Sequence, residues 1–244
     1  MQAVQRCQEA LTLVQKIAHP YSLASTQHYA ASLHYLRHDV PAVQALAEAL
    51  LTLATAQGFP LHVGWGTFWC GWALAMQGQG EAGMAQMHQG IAAVLAAGQM
   101  VSRPYCLVLL AEAAGHAGQV DEGIRLLAEA LTAFEANAQG DLLAEAYRLQ
   151  GELWLRQAPP DAAQAEACFH QALAVAHRQL AKSWELRAAT SLSRLWQQQG
   201  KRTDAYELLA PIYGWFTEGF DTADLQEAKA LLGELGYSPR ENCY

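Results

Sequence analysis

Between Ala165 and Ala176 the small or apolar residues stand at 165, 168, 169, 172, 173 and 176, and polar residues fill most of the places between them. Such a pattern forms one stripe on a helix of 3.6 residues per turn. Inside the stripe lies a tighter motif, small–x3–large–x2–small, carried by Ala165, Phe169 and Ala172. The same spacing recurs as Ala42, Leu46, Ala49; as Gly83, Met87, Gly90; as Gly123, Leu127, Ala130; and as Ala205, Leu209, Ile212, whose last member is no longer small. Successive first members are separated by 41, 40, 42 and 40 residues, so the chain is built from five copies of one unit.

A second helix precedes each copy. Twelve residues before the triplet stands a small residue in four copies: Ala30, Gly71, Ala111 and Ser193. In the fourth copy Gly151 precedes Ala165 by fourteen, and the two extra residues fall in the Ala158-Pro159-Pro160 turn. Three positions after the small residue comes a bulkier one (Leu33, Leu74, Trp154, Trp196), with Ala114 as the departure. Gly78 and Gly80, Gly118 and Gly200 supply turns where a left-handed residue ends a helix, and Asp161 with Gln164 reads as a capping box. Small residues on one helix facing large ones on the next let the two axes approach closely. Each hairpin then keeps an apolar face that only its neighbour can cover, so stability is cooperative along the array.

These residues resemble the tetratricopeptide repeat, whose consensus places Gly or Ala midway along the first helix and Ala–Phe/Tyr–Ala along the second. The match is fullest over Tyr147, Gly151, Trp154, Ala165, Phe169 and Ala172. The period is about six to eight residues longer than the usual 34, which lengthens the second helix and its exit turn. The resemblance implies an all-α fold, a right-handed superhelical solenoid of antiparallel helix pairs. Residues 1–244 are then expected to form a single domain. Residues 1–18 would be an N-terminal capping helix, left over as the second helix of a pair. Helix pairs would follow at 21–58, 60–98, 102–139, 141–180 and 181–219. A capping helix at 221–235, with Leu225, Ala228, Leu232 and Leu235 on one face, would precede a polar tail at 236–244. The stretches Ala181 to Leu192, Leu195 to Arg202 and Tyr213 to Asp221 also resemble the C-terminal repeat region of large bacterial signalling proteins. There, repeats follow a P-loop ATPase module, often behind an adenylate/guanylate cyclase domain. Neither module is present in these 244 residues. Gly200-Lys201-Arg202 is not a Walker A motif, because the residue after the lysine is neither Ser nor Thr.

Composition narrows the function classes. A net charge of −8 argues against general nucleic-acid binding, which needs a surplus of Lys and Arg. Apolar residues make up 52% of the chain, ample for a core, yet no stretch is long enough to span a bilayer. The first residues lack the apolar segment of a secretion signal. Cys7, Cys70, Cys106, Cys168 and Cys243 are odd in number and widely spread, which fits a reducing cytoplasm better than a disulfide framework.

In the resembling repeats the first helix of each pair lines the concave face. Transferring that register makes Trp65, Phe68, Trp72 and Met76 the lining of the second copy, and Tyr105, Glu112 and His116 that of the third. Arg148, Glu152 and Arg156 follow in the fourth and Arg187 and Arg194 in the fifth, so the expected groove runs from aromatic to cationic. Aromatics and arginines dominate binding hot spots, and arginine grips carboxylates bidentately; a partner with an apolar anchor and an acidic end fits. The competing reading is that the tryptophans fill a wide gap between repeats and that the alternating charges pair among themselves. His34 with His38, and Glu112 with His116, stand four apart as metal ligands do, but spacing names no third ligand, so no metal or cofactor is expected. No nucleophile–base motif is present; Glu112, His116 and Glu152 are the first suspects only if the groove assembles acid–base groups. The expected function is a non-catalytic protein–protein interaction scaffold of a bacterial signalling protein that binds a peptide, a partner domain or part of its own parent. A small-molecule sensor and a self-association module are the alternatives.

Overall fold

The computed structural model of the chain describes residues 2–137 and 140–236. Among them are twelve α-helices and no strand: α1 (Gln2–Ile17), α2 (Pro20–Leu36), α3 (Val40–Gln57), α4 (Pro60–Met76), α5 (Gly80–Ala96), α6 (Arg103–His116), α7 (Val120–Asn137), α8 (Leu143–Arg156), α9 (Ala162–Arg178), α10 (Lys182–Gln198), α11 (Arg202–Tyr213) and α12 (Ala223–Leu235). A single 3-10 turn, Met100–Ser102, precedes α6. The tail expected at 236–244, with Cys243, lies outside the described residues except for Gly236. The fold is all-α and pairs α2 with α3, α4 with α5, α6 with α7, α8 with α9, and α10 with α11.

Local chemistry starts and stops these helices. Proline, whose missing N–H costs nothing in a first turn, opens α2, α3, α4 and α6. Asp39 and Asp161 cap α3 and α9 by accepting from the backbone N–H of Ala42 and Gln164. Gly58, Gly78, Gly98, Gly118 and Gly200 take positive φ at the exits, and Ala18, His38 and Leu180 occupy the same conformation without being glycine.

The chain forms two compact units, Met1–Ala138 and Gln139–Tyr244. In the first, α4 is threaded between α3 and α5 at backbone contact. A Cβ on Gly66 would lie 3.0 Å from Leu51 Cα, and one on Gly71 would lie 2.6 Å from Gly83 O. The triplet Gly83, Met87, Gly90 is the other side of that crossing, and all three are buried. Amphipathic α1 packs on α2 through half-buried Val4, Cys7, Leu11 and Val14, and none of its residues is fully buried.

In the second unit Ala165 and Phe169 pack against Leu192 and Leu195, while Ala144 meets Val175 and Ala176. The last helix, α12, closes the unit with Leu225, Ala228, Leu231 and Leu235 against Leu186, Ala189, Ala205 and Leu209. Here Leu231 takes the fully buried place expected of Leu232, which lies half-buried at the edge of the cluster. A helix places 225, 228 and 235 on a stripe that passes between 231 and 232, and contact with α10 and α11 decides in favour of 231.

Candidate functional site

The first helices of successive pairs touch one another directly, α2 with α4 and α4 with α6 in the first unit and α8 with α10 in the second, where α10 also touches the closing helix α12. All twelve sequence-derived site residues lie on these helices, and the two units line them with different chemistry.

In the first unit the lining is a seam of rings. Trp65, Phe68, Trp69 and Trp72 of α4 follow one another edge to face, with centroids 5.5–6.3 Å apart. Tyr35 of α2 packs on Trp69 and Trp72, and Tyr105 of α6 packs on Trp65 and Trp69. Ser32 of α2 and Tyr105 of α6 share a 3.0 Å hydrogen bond, so side chains of the first and third pairs meet past α4. Burial raises the Tyr105 phenol, a shift that its bond to Ser32 only partly opposes. Trp72 Nε1 donates to Glu112 Oε2 at 3.1 Å, tying α4 to α6. Trp65, Phe68, Trp72 and Glu112 are all buried. Trp65 and Trp72 contact side chains of both α2 and α6. Met76 is half-buried and His116 exposed.

In the second unit the lining is a ladder of ion pairs. Arg148 of α8 grips Glu145 bidentately, Nη2 to Oε1 at 2.7 Å and Nε to Oε2 at 2.8 Å, and also pairs with Glu152. Ser191 of α10 donates to Glu152 at 3.0 Å. Arg187 of α10 spans the next step: Nη1 lies 3.4 Å from Glu145 Oε1, and Nε donates to Asp224 Oδ2 of α12 at 2.8 Å. Its guanidinium stacks 4.9 Å above Trp184. Burial opposes the charge on Arg187, but Glu145 and Asp224 outweigh it and hold the guanidinium protonated. Arg194 donates to Glu227 at 3.0 Å and Gln197 to Glu234 at 3.1 Å, both on α12. The cationic end expected from Arg187 and Arg194 is therefore neutralised by carboxylates of the last helix. Arg148 and Arg187 are buried, Glu152 and Arg194 are half-buried, and Arg156 is exposed.

Tyr35 stands in the groove-facing register of the first copy and Trp69 among the tryptophans of the gap-filling reading, whereas His28 of the ring seam and Asp224 and Glu227 of the ladder were not singled out from sequence. Trp69 and His28 stand 41 residues apart, one repeat, so the period itself relates them. Asp224 and Glu227 carry no repeat signal, because α12 lies beyond the last pair.

The metal suspects His34 and His38 sit at the junction of α2 and α3, and of the acid–base suspects Glu112 and Glu152 take part in the bonds given above. His34 Nδ1 lies 3.1 Å from Oδ2 of Asp39, the carboxylate that caps α3, and His38 occupies the turn between α2 and α3. No group of three or more His, Cys, Asp or Glu among the described residues is placed to hold a metal ion. Burial pushes the thiols of Cys70, Cys106 and Cys168 up to about 11, 12 and 11, far from thiolate formation at neutral pH. No described helix is long and apolar enough to cross a membrane.

No protein-family model and no curated protein matches the sequence. Solved structures do match. A protein described as a kinesin light chain with nearly identical TPR-like repeats, from Podosopora anserina, aligns with a TM-score of 0.53 at 19% identity over 90% of this chain and 99% of its own. A substituted form of that protein aligns at 0.55 and 20% over 80% and 95%. BtubC (BKLC) from P. vanneervenii aligns at 0.58 and 14% over 95% and 87%. At such identities the likeness concerns the fold, and the fold of this chain is that of the TPR-like helix-pair repeats.

Proposed function

We propose that the chain is a non-catalytic protein–protein interaction scaffold whose second unit receives an acidic segment of a peptide or partner domain at Arg194. One observation carries this reading. Of the arginines expected in the groove, Arg194 is held by a pair that is itself exposed, its side chain 41% and that of Glu227 51% accessible. Exposed ion pairs contribute about 0–1 kcal/mol, so an incoming carboxylate can replace Glu227 at little cost. Arg187 and Arg148 are locked in the buried ladder, where removing one partner strands the other. Gln197 follows one turn after Arg194 on α10, and α8, which carries Glu152 and Arg156, packs beside α10. The buried rings of the first unit act in this reading as the framework that keeps its pairs in register.

The likeness to repeat regions of bacterial ATPase and cyclase-type signalling proteins extends the proposal to a partner within such a parent protein. Fluorescence anisotropy of the full chain against peptides ending in Asp or Glu, beside amidated versions of the same peptides, tests it. The expected result is binding of acidic peptides that weakens in Arg194→Ala, where Glu227 is left to repel them, and strengthens in Glu227→Ala, each by about two- to fivefold on the scale of exposed ion pairs. Equal binding of acidic and amidated peptides, or no effect of Arg194→Ala, overturns it.

A further inference from the structure

His28 sits inside the ring seam of the first unit and His62 beside Tyr21 and Phe59, and no step of the proposed partner binding uses either. His28 of α2 lies with its ring 4.3 Å from Trp65, tilted by 31°, and 5.0 Å from Tyr29. Trp69 Nε1 of α4 donates to His28 Nδ1 at 3.1 Å. An indole N–H can only donate, so Nδ1 must offer a lone pair and the ring's single proton resides on Nε2. A protonated His28 would point an N–H at the N–H of Trp69. Trp69 has no freedom to turn away, since it is fully buried and packed against Tyr35, Phe68, Trp72 and Tyr105.

We infer that the α2–α4 interface is an acid-sensitive latch, closed while His28 is neutral and released from α4 when His28 takes up a proton.

The surroundings give such a proton no counter-charge. From α4 the titratable group facing His28 is His62, a base of the same sign when charged. His62 is buried, with Nε2 3.0 Å from Ser25 Oγ and Nδ1 without a hydrogen-bond partner among the described residues. From α6 the facing group is Tyr105, whose hydroxyl is taken by Ser32 and whose ionisation burial has moved further from neutrality. On α2 itself Tyr29 is the ring neighbour. Glu112 bears on Tyr105 and is bonded to Trp72. Among the described residues of α1 and α3, which also pack on α2, none contributes a charge at His28. The face of Trp65 attracts a cation, but the lost Trp69 bond and the loss of hydration act against it.

Burial, with His62 adding to it, lowers His28 from 6.5 to about 4, and burial lowers His62 as well. The unfolded or detached segment thus takes up a proton near pH 6.5, while the closed interface resists until about pH 4. The contribution of His28 is complete above pH 6.5 and is lost as the pH falls towards 4. Between pH 7.5 and 5.5 the closed-to-open ratio should drop about tenfold.

Hydrogen exchange on the full chain, corrected for the intrinsic pH dependence of exchange, reads this directly. Protection of the α2 amides is expected to fall about tenfold from pH 7.5 to 5.5 relative to that of α9. In His28→Gln, whose side-chain carbonyl accepts from Trp69 and does not titrate, the acid step at α2 should shrink to the part that His62 contributes. In Trp69→Phe, which keeps a ring and removes the N–H, the His28 resonances should titrate closer to 6.5 and the acid step should shrink. An ordinary His28 titration in the unsubstituted chain overturns the inference without any variant, and so does an undiminished α2 step in His28→Gln.

Discussion

Gly83→Ala tests the physical basis of the repeat, because the added methyl has nowhere to go. Its Cβ would stand 2.5 Å from Gly71 O, 2.6 Å from Ala75 N and 2.9 Å from Ala75 Cα. All three are backbone atoms of α4, so no side chain can swing aside. Ordinary carbon contacts lie at about 3.5–4.0 Å, and the two axes would have to separate by roughly an ångström. That movement also loosens Met87 and Phe68, both fully buried at the crossing. Against this, Ala is favoured over Gly in a helix interior by about 0.8–1.0 kcal/mol. Overpacking of a fixed core costs typically about 1–3 kcal/mol, and a backbone-against-backbone clash belongs at or above the upper end. The net expectation is a loss of about 1–3 kcal/mol, or a drop in Tm of several degrees on the scale of about 2–4 °C per kcal/mol. Gly233→Ala on α12 is the matched control. A Cβ there meets nothing within 4 Å, so propensity acts alone and a gain of up to about 1 kcal/mol follows. Thermal and urea unfolding should be read by far-UV circular dichroism and by tryptophan fluorescence, where Trp65, Trp69 and Trp72 report on α4. A Gly83→Ala protein as stable as the unsubstituted chain would refute backbone contact as the cause of the small–x3–large–x2–small motif.

Two further outcomes follow from the same geometry. Arg187→Met removes the buried guanidinium that donates to Asp224 and leaves Glu145 to Arg148 alone, and should cost about 3 kcal/mol; Arg194→Ala, at an exposed pair, should cost less than about 1 kcal/mol, and parallel thermal melts of the two variants distinguish these roles. Leu180 is 80% exposed and holds φ +55 at a turn where other exits use glycine; Leu180→Gly should raise stability by about 0.5–1 kcal/mol, since a left-handed L-residue costs roughly 1–2 kcal/mol and glycine returns part of that in chain entropy, and an unchanged or lowered Tm would contradict it.

The helix-pair fold was legible because its cause is written in residue size. Gly83, Met87 and Gly90 recur as a spacing, and the same three residues make the closest approach in their pair. The side of each first helix that faces its neighbours was also legible from the register of Gly71, Ala111, Gly151 and Ser193. How far that side is open to solvent was not. Register fixes the direction of Trp65, Phe68 and Trp72, but their burial depends on the reach of Tyr35 and Tyr105 from two other helices. The charge of the last pair was misleading for a related reason. Arg187 and Arg194 look cationic when each copy is read alone, and the neutralising Asp224 and Glu227 come from a helix outside the repeat. Leu231 and Leu232 show the finest grain of the problem: adjacent leucines at the edge of a stripe, separated only by contact with α10 and α11.

The ladder in the second unit also limits what partner binding there can do. A carboxylate arriving at Arg194 replaces a bond that Glu227 already makes, so the exchange itself is close to neutral in free energy. Arg148 and Arg187 hold their carboxylates too deeply to exchange at all. Charge at this surface therefore sets where a partner lies and how fast it docks, by steering, and affinity has to come from whatever apolar contact accompanies it. Raising the salt concentration should accordingly slow association with an acidic peptide far more than it speeds dissociation, whereas a partner held chiefly by Arg194 would show the reverse.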